Sequence, residues 1–182
     1  MRITVLGRGN VGGGLADRWE RAGHEVTRLG RDGGDVSDAE VVLVAVPGGA
    51  LADALERVTG LAGKTVIDAT NLPGLAPPDG FASNAEYVRS RTGGPTAKSF
   101  NVNLAALYPQ LGAARATPSD LWCGDEAARE IVEQLSRDAG YDPVHTGPLE
   151  SAALQESLLP LIFSIGEGLG PFVYRFAALD QL

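Results

Sequence analysis

The sequence has a single cysteine, Cys123, and only two histidines, His24 and His145. One cysteine cannot form a disulfide within the chain, and the histidines lie too far apart in sequence for the usual spacing of a metal site. No stretch approaches the roughly 18 apolar residues of a membrane span, and the first residues lack the basic and apolar regions of a signal peptide. These absences predict a soluble, cytoplasmic protein with no metal site and no membrane partner.

Positive charge is also scarce. Lysine and arginine total 15 against 23 aspartates and glutamates, so the formal net charge is −8 and the isoelectric point is near 4.7. Nucleic-acid binding needs a basic face, so this composition argues against a nucleic-acid partner. It does not exclude an anionic cofactor, because a local pocket can have a charge opposite to that of the whole protein.

Apolar runs alternate between the spacing of strands and the spacing of helices. This alternation predicts an α/β protein with a doubly wound parallel sheet, as a core domain of residues 1–148 followed by a short C-terminal helical segment, 149–182. Only eleven residues, 30–40, separate the second and third strands, which predicts a bare loop instead of a crossover helix. The predicted strands are 3–6, 25–29, 41–46, 65–69, 97–100, 120–123 and one at Val144; the predicted helices are 11–22, 50–58, 84–91 and 125–139.

A glycine motif, Gly-x-Gly-x-x-Gly, directly follows the first predicted strand and opens the first predicted helix. In this context the motif indicates a Rossmann-type NAD(P)-binding loop. Gly7 permits the tight turn, Gly9 lets the backbone approach a pyrophosphate, and Gly12 lets the helix pack on the strand. The amides at the start of the helix then face the phosphates. We therefore predict that the loop, Gly7, Arg8, Gly9, Asn10, Val11 and Gly12, binds a dinucleotide, although Arg8 is also consistent with a solvated loop arginine.

The end of the second strand indicates which dinucleotide binds. NAD-binding domains place an acid here for the ribose 2′-hydroxyl, whereas this chain has Gly30 followed by Arg31. Glycine leaves room for a 2′-phosphate, and a guanidinium group binds a phosphate in a fork. We therefore favour NADP(H). NAD remains an alternative because of Asp32: if the ribose-binding position lies two residues later in the chain, Asp32 would supply the acidic contact with the ribose.

Three further predicted strands end in residues that we expect beside the nicotinamide, because ligands of doubly wound sheets bind beyond the carboxyl ends of the strands. Val46 and Pro47 follow the third strand, Asn71 the fourth, and Asn101 and Asn103 the fifth. Pro47 is equally consistent with a plain strand terminator. These side chains form the predicted nicotinamide side of the site.

The histidines and the cysteine show no catalytic pattern. We expect His24 at the surface and Cys123 as a small buried hydrophobe. His145 either lines a substrate pocket or lies at the surface. No Ser-His-Asp or Cys-His system and no carboxylate pair suggests hydrolysis, so the catalytic residues stay unassigned.

Several segments are similar to the coenzyme F420-dependent NADP oxidoreductase family. They are the opening GRGNVGGGLADRWERAGHEVTRLGR, AVP after the third strand, VIDATNLP, KSFN, and WCGDEAAREIVEQLSRDAGYDPVHTGPLESA. The closing SLLPLIFSIGEGLGPFVYRFA resembles that family's final helical segment. The same unit also resembles the NADP-binding domain of membrane ferric reductases.

The resemblance implies roles for individual residues. The glycine loop would hold pyrophosphate, and Arg31 would bind the 2′-phosphate, with Gly30 in place of the family's serine. A deazaflavin would lie near Asn71, residues 101–103 and the C-terminal segment.

The predicted function is hydride transfer between NADP(H) and a deazaflavin, coenzyme F420, or a flavin-like acceptor. Two alternatives are reduction of a small imine or keto acid and a non-catalytic NADP(H)-binding sensor. The apolar tail, residues 158–176, further predicts a homodimer, because exposed hydrophobic surface of that size seldom stays bare.

Overall fold

The computed structural model describes residues 1–78 and 80–181. The strands are β1 (Arg2–Leu6), β2 (Glu25–Leu29), β3 (Gly34–Asp35), β4 (Val41–Val44), β5 (Val58–Thr59), β6 (Thr65–Asp68), β7 (Thr96–Lys98), β8 (Ser119–Gly124) and β9 (Asp142–His145). The α-helices are α1 (Asn10–Arg21), α2 (Leu51–Glu56), α3 (Asn84–Thr92), α4 (Arg129–Asp138), α5 (Ala152–Ser157) and α6 (Leu159–Leu169). Short 3₁₀ helices cover Gly48–Ala50, Ala105–Ala113, Glu126–Ala128, Leu149–Ser151 and Leu179–Gln181.

The main sheet has the order β2-β1-β4-β6-β7-β8-β9, and its first five strands are parallel. The predicted α/β doubly wound fold is therefore confirmed. One detail is different: β8 is antiparallel to β7, and β9 is parallel to β8, so the last two strands run opposite to the rest. No α-helix within the described residues joins β7 to β8, and antiparallel neighbours do not need the crossover helix that parallel neighbours require.

Helices cover both faces of the sheet. On one face, α1 and α4 bury Trp19, Leu15, Val132 and Leu135 against alternate residues of the strands. On the other face, a second apolar cluster includes residues of α2 and α3. All four residues of β4 are fully buried, as is typical of a central parallel strand that is covered on both sides.

The short connection between β2 and β4 contains no helix, as predicted, but it is not a bare loop. Gly34 and Asp35 form β3, which pairs in parallel with Val58 and Thr59 of β5. This small second sheet fastens the β2–β4 connection to the end of α2. Local sequence does not predict it, because each strand is only two residues long and the partners are far apart in sequence.

The C-terminal segment follows its helical prediction only to Leu169. Gly170 has a φ of +79°, and residues 171–178 are not helical. This stretch lies beside the start of β8: the Ser119 amide donates to the Tyr174 carbonyl at 2.8 Å, and the Phe176 amide donates to Ser119 Oγ at 2.9 Å. The helical prediction for the C-terminal segment therefore holds from Leu149 to Leu169 and fails for residues 171–178, whereas the domain division at 148/149 stays a prediction. No described helix is both long and apolar enough to cross a membrane.

Candidate dinucleotide site

The glycine loop has the backbone geometry that its sequence predicts. Gly7 has a φ of +112°, a conformation that side chains disfavour, and a Cβ there would overlap the Ala45 carbonyl. A Cβ on Gly12 would overlap the carbonyl of Gly7, so Gly12 lets α1 pack closely on the loop. Gly9 is different, because among the described residues no atom outside its chain neighbours lies within 4 Å of the position of its Cβ. The space above Gly9 is therefore open.

The start of α1 is suited to an anion. Gly9 is the N-cap residue, no side chain caps the first turn, and no acidic residue lies in it. The amides of a helix's first turn lack partners within the helix and carry a partial positive charge. These amides and the open space above Gly9 fit the pyrophosphate of a dinucleotide.

On one side of the loop lies a cavity of about 610 Å³, which we call the arginine cavity. It contains the predicted Gly30 and Arg31 at the end of β2 and an apolar wall from the loop after β4 and from α2. Its lining residues are Gly7, Arg8, Gly9, Gly30, Arg31, Ala45, Val46, Pro47, Ala50, Asp53, Ala54 and Arg57.

Three arginines line this cavity: Arg8, Arg31 and Arg57. The position of a Cβ on Gly30 lies 3.3 Å from Arg8 Cζ, so Arg8 covers the space that a larger residue 30 would fill. Within the described part of the chain, the arginine ion pairs shorter than 4 Å include none of these three. A protein with a net charge of −8 thus has a cationic pocket at the place predicted for the 2′-phosphate.

On the other side of the loop lies a cavity of about 430 Å³, which we call the neutral cavity. It contains the predicted Asn10, Val11 and Asn71 at the edge formed by β1, β4 and β6. Its lining residues are Gly9, Asn10, Val11, Ala45, Val46, Pro47, Gly48, Gly49, Ala69, Asn71, Pro73 and Leu75. None of these lining residues, all in the described part of the chain, carries a titratable side chain.

Asn71 is held in place by Asn101. The Asn71 Nδ2 donates to the Asn101 carbonyl at 2.6 Å, and Asn101 Nδ2 donates to Asn71 Oδ1 at 3.0 Å. Behind them, Gln155 Nε2 of α5 donates to Asn101 Oδ1 at 2.8 Å. Asn101 is buried and lines neither cavity, and its side chain supports Asn71; the predicted contact of Asn101 with a cofactor stays a prediction.

Two residues considered at the sequence level lie elsewhere. Asn103 points inward, and its Nδ2 donates to Asp120 Oδ1 at 2.9 Å. His145 is exposed on β9, with its ring centroid 4.3 Å from that of Trp122. Neither residue lines the arginine or the neutral cavity. Cys123 is fully buried, as predicted.

A buried ion cluster lies next to the neutral cavity and fixes α5 to the sheet. Lys98 Nζ donates to Asp68 Oδ2 at 2.8 Å, to Glu156 Oε1 at 2.7 Å and to the Thr70 carbonyl at 2.6 Å. The side chains of Lys98 and Asp68 are fully buried. Burial raises the pKa of Glu156, and the nearby Lys98 ammonium opposes that rise. The cluster therefore joins the ends of β6 and β7 to the segment that carries Gln155.

Comparison with known proteins agrees with this geometry, although no family model matches the chain. A candidate F420-dependent NADP reductase from Arthrobacter sp. FB24 is 26% identical, covers 98% of this chain and 100% of its own, and superposes with a TM-score of 0.79. The metalloreductase STEAP3 of Rattus norvegicus is 30% identical over 152 residues, 78% of this chain. This chain corresponds to only 31% of that curated relative's length.

The predicted resemblance is confirmed. The expected class, an NADP-dependent oxidoreductase with a Rossmann fold, agrees with both neighbours. A reductive aminase from Aspergillus terreus, solved with NADPH, superposes with a TM-score of 0.67 over 92% of this chain and 63% of the aminase. Because the two sequences are only 18% identical, this neighbour supports the fold alone.

Sequence reasoning missed Arg57 and Asp53, which the structure adds to the arginine cavity. Both belong to the segment after β4 and lie more than twenty residues from Arg31 in sequence. The second sheet, β3 with β5, brings Arg57 against the β2–β4 connection. No local motif signals this proximity.

Proposed function

We propose that this chain is a reductase that binds NADP(H) and transfers a hydride between C4 of the nicotinamide and C5 of a deazaflavin, coenzyme F420, or a flavin-like acceptor. The observation that carries the proposal is the pair of cavities that meet above the glycine loop. They share Gly9, Ala45, Val46 and Pro47, so they adjoin each other across the start of α1. An adenosine half in the arginine cavity and a nicotinamide half in the neutral cavity fit this arrangement, with the pyrophosphate above Gly9.

The chemical character of the neutral cavity supports this kind of acceptor. Bound NADPH supplies the hydride, and the protein has to orient the two rings and exclude water. Reduction of an imine or a keto acid also needs a proton at the new nitrogen or oxygen, which a positioned acid normally donates. Since no described residue lining the neutral cavity is titratable, an acceptor that takes its proton from solvent fits better. The imine or keto-acid alternative is thereby disfavoured.

Turnover experiments separate these functions. The protein is mixed without oxygen with NADPH or NADH and one acceptor at a time: coenzyme F420, FMN, or a keto acid with an amine. We expect loss of nicotinamide absorbance together with reduction of F420 or FMN, faster with NADPH. Turnover of the keto acid alone would favour the imine alternative. Binding of NADPH by calorimetry without turnover of any acceptor would identify the sensor, and no F420 or flavin turnover with either nicotinamide would overturn the proposal.

We further propose that α6 packs against a second copy of the chain. Its side chains Leu161, Phe163, Ile165 and Leu169 are 54%, 52%, 40% and 69% exposed. Large exposed apolar patches are rare on monomers and usually mark interfaces. Light scattering during chromatography is expected to show a dimer that Leu161→Glu dissociates; a wild-type monomer at all concentrations would contradict this. The expected cytoplasmic location stays a prediction.

A further inference from the structure

Arg57 follows the last residue of α2, yet it contacts the connection that follows β2. The Gly34 amide donates to the Arg57 carbonyl at 3.1 Å. Gly33 has a φ of +72°, and a Cβ there would overlap the Arg57 carbonyl, so the two segments touch through their backbones. Pairing of β3 with β5 holds this contact, since Gly34 is opposite Val58. The backbone position of Arg57 is therefore defined by a rigid junction.

The side chain of Arg57 lies beside Arg31. Its Nη1 donates to the Arg31 carbonyl at 3.0 Å, and within the described residues the guanidinium group makes no other hydrogen bond. Arg57 also lines the arginine cavity. A guanidinium has five N–H donors, so one bond to a carbonyl leaves most of them available. Arg57 thus approaches the predicted 2′-phosphate position from α2, while Arg31 approaches it from β2.

The charges around this position favour a phosphate. A phosphate monoester carries roughly −1.5 to −2 charges at pH 7 and has three strong acceptor oxygens. One arginine neutralises only part of that charge. Asp53 is the sole acid among the described lining residues, and Asp32, which would favour NAD, does not line the cavity. Two neighbouring arginines that make no ion pair within the described residues match the charge and the geometry of a 2′-phosphate.

We propose that Arg57 binds the 2′-phosphate together with Arg31 and determines the preference of this chain for NADP(H) over NAD(H). This assignment rests on the proposed function, because it concerns the same dinucleotide. It makes α2 part of the recognition of the cofactor, although α2 is not part of the sequence motif that signals the site. A merely structural Arg57, which only holds the Arg31 carbonyl, would act through Arg31, so Arg57→Ala would lower NADPH affinity no further in a chain that already carries Arg31→Ala.

The test measures NADPH and NADH binding by calorimetry for the wild type and for Arg57→Ala. Loss of one charge-assisted contact is expected to weaken NADPH binding by about 10- to 100-fold. NADH binding should stay unchanged. Adenosine 2′,5′-bisphosphate and adenosine 5′-monophosphate serve as smaller probes, and only the first should lose affinity. Arg91→Ala, an exposed arginine of α3 that lines neither cavity, removes the same charge and should leave both affinities unchanged.

The outcomes separate this inference from the proposed function. A wild type that binds neither dinucleotide would overturn both. Two outcomes would overturn only the role of Arg57. In one, Arg57→Ala keeps the wild-type preference for NADPH; in the other, Arg57→Ala loses the same affinity for NADPH and for NADH. If Arg57→Ala does not fold, as judged by circular dichroism, Arg57→Lys is used instead. Lysine keeps the positive charge but lacks the two-pronged donor geometry of a guanidinium group. A smaller loss of affinity that is confined to NADPH therefore supports the assignment, and an unchanged preference for NADPH over NADH contradicts it.

Discussion

Replacement of Gly9 by alanine is expected to weaken dinucleotide binding about 10- to 100-fold without unfolding the protein. Gly9 has φ −75° and ψ −168°, which is extended backbone that alanine adopts without strain. Its Cβ would meet no atom within 4 Å among the described residues beyond its chain neighbours. The added methyl group would instead occupy the space above the loop, where the pyrophosphate has to approach the amides of α1.

The size of each effect follows from this geometry. Alanine is a poorer N-cap than glycine, but it also reduces the entropy of the unfolded chain, so the free energy of unfolding should change by less than about 1 kcal/mol. Loss of one hydrogen bond from an amide to a charged phosphate costs about 1.5–3 kcal/mol. That corresponds to a dissociation constant for NADPH that is about 10- to 100-fold higher.

Calorimetry with NADPH and urea denaturation measure the two effects separately. Gly168→Ala is the matched control, because among the described residues its Cβ also meets no atom within 4 Å beyond its chain neighbours and the backbone of its own helix, and Gly168, in α6, lines neither cavity. It should bind NADPH like the wild type and gain about 0.5–1 kcal/mol of stability as a helical position. If Gly9→Ala bound NADPH as tightly as the wild type, the placement of the pyrophosphate above the loop would be refuted.

Two further predictions concern buried charges. Lys98→Ala leaves Asp68 and Glu156 without their cation, and we expect a loss of about 3–5 kcal/mol in urea denaturation; a loss below about 1 kcal/mol would show that the cluster contributes little. Burial raises the pKa of Asp120 from 3.8 to about 6, so the folded state holds a proton that the unfolded state has already released. This carboxyl should therefore lower the free energy of unfolding by about 3 kcal/mol as the pH rises from about 4 to above 6. Asp120→Asn should remove that pH dependence, and an unchanged pH profile would refute it.

The parts of the site that were predicted are those with local chemical requirements. Gly7 and Gly12 are needed because the backbone of one short loop leaves no space for a Cβ. Arg31 follows a strand whose end is recognisable from its apolar run. Each of these features depends on a few consecutive residues, so the sequence displays it directly.

Other features depend on pairing between distant segments. Apolar periodicity indicates a strand but not its direction, so the reversal of β8 was not predicted. The hydrogen bonds of Asn101 turn it toward Asn71 and Gln155, and it lines neither of the two cavities.

By itself, the sequence determined that this chain has a Rossmann-type fold and that residues 7–12 form a tight glycine loop at the start of α1. Alternating periodicity and glycine positions specify backbone geometry over short distances. Only the tertiary structure decided which side chains line the two cavities. The β3–β5 pairing brings Arg57 to Arg31 and produces a cationic pocket in an acidic protein. Long-range contacts of this kind come from packing of the whole fold, which no local pattern of residues encodes.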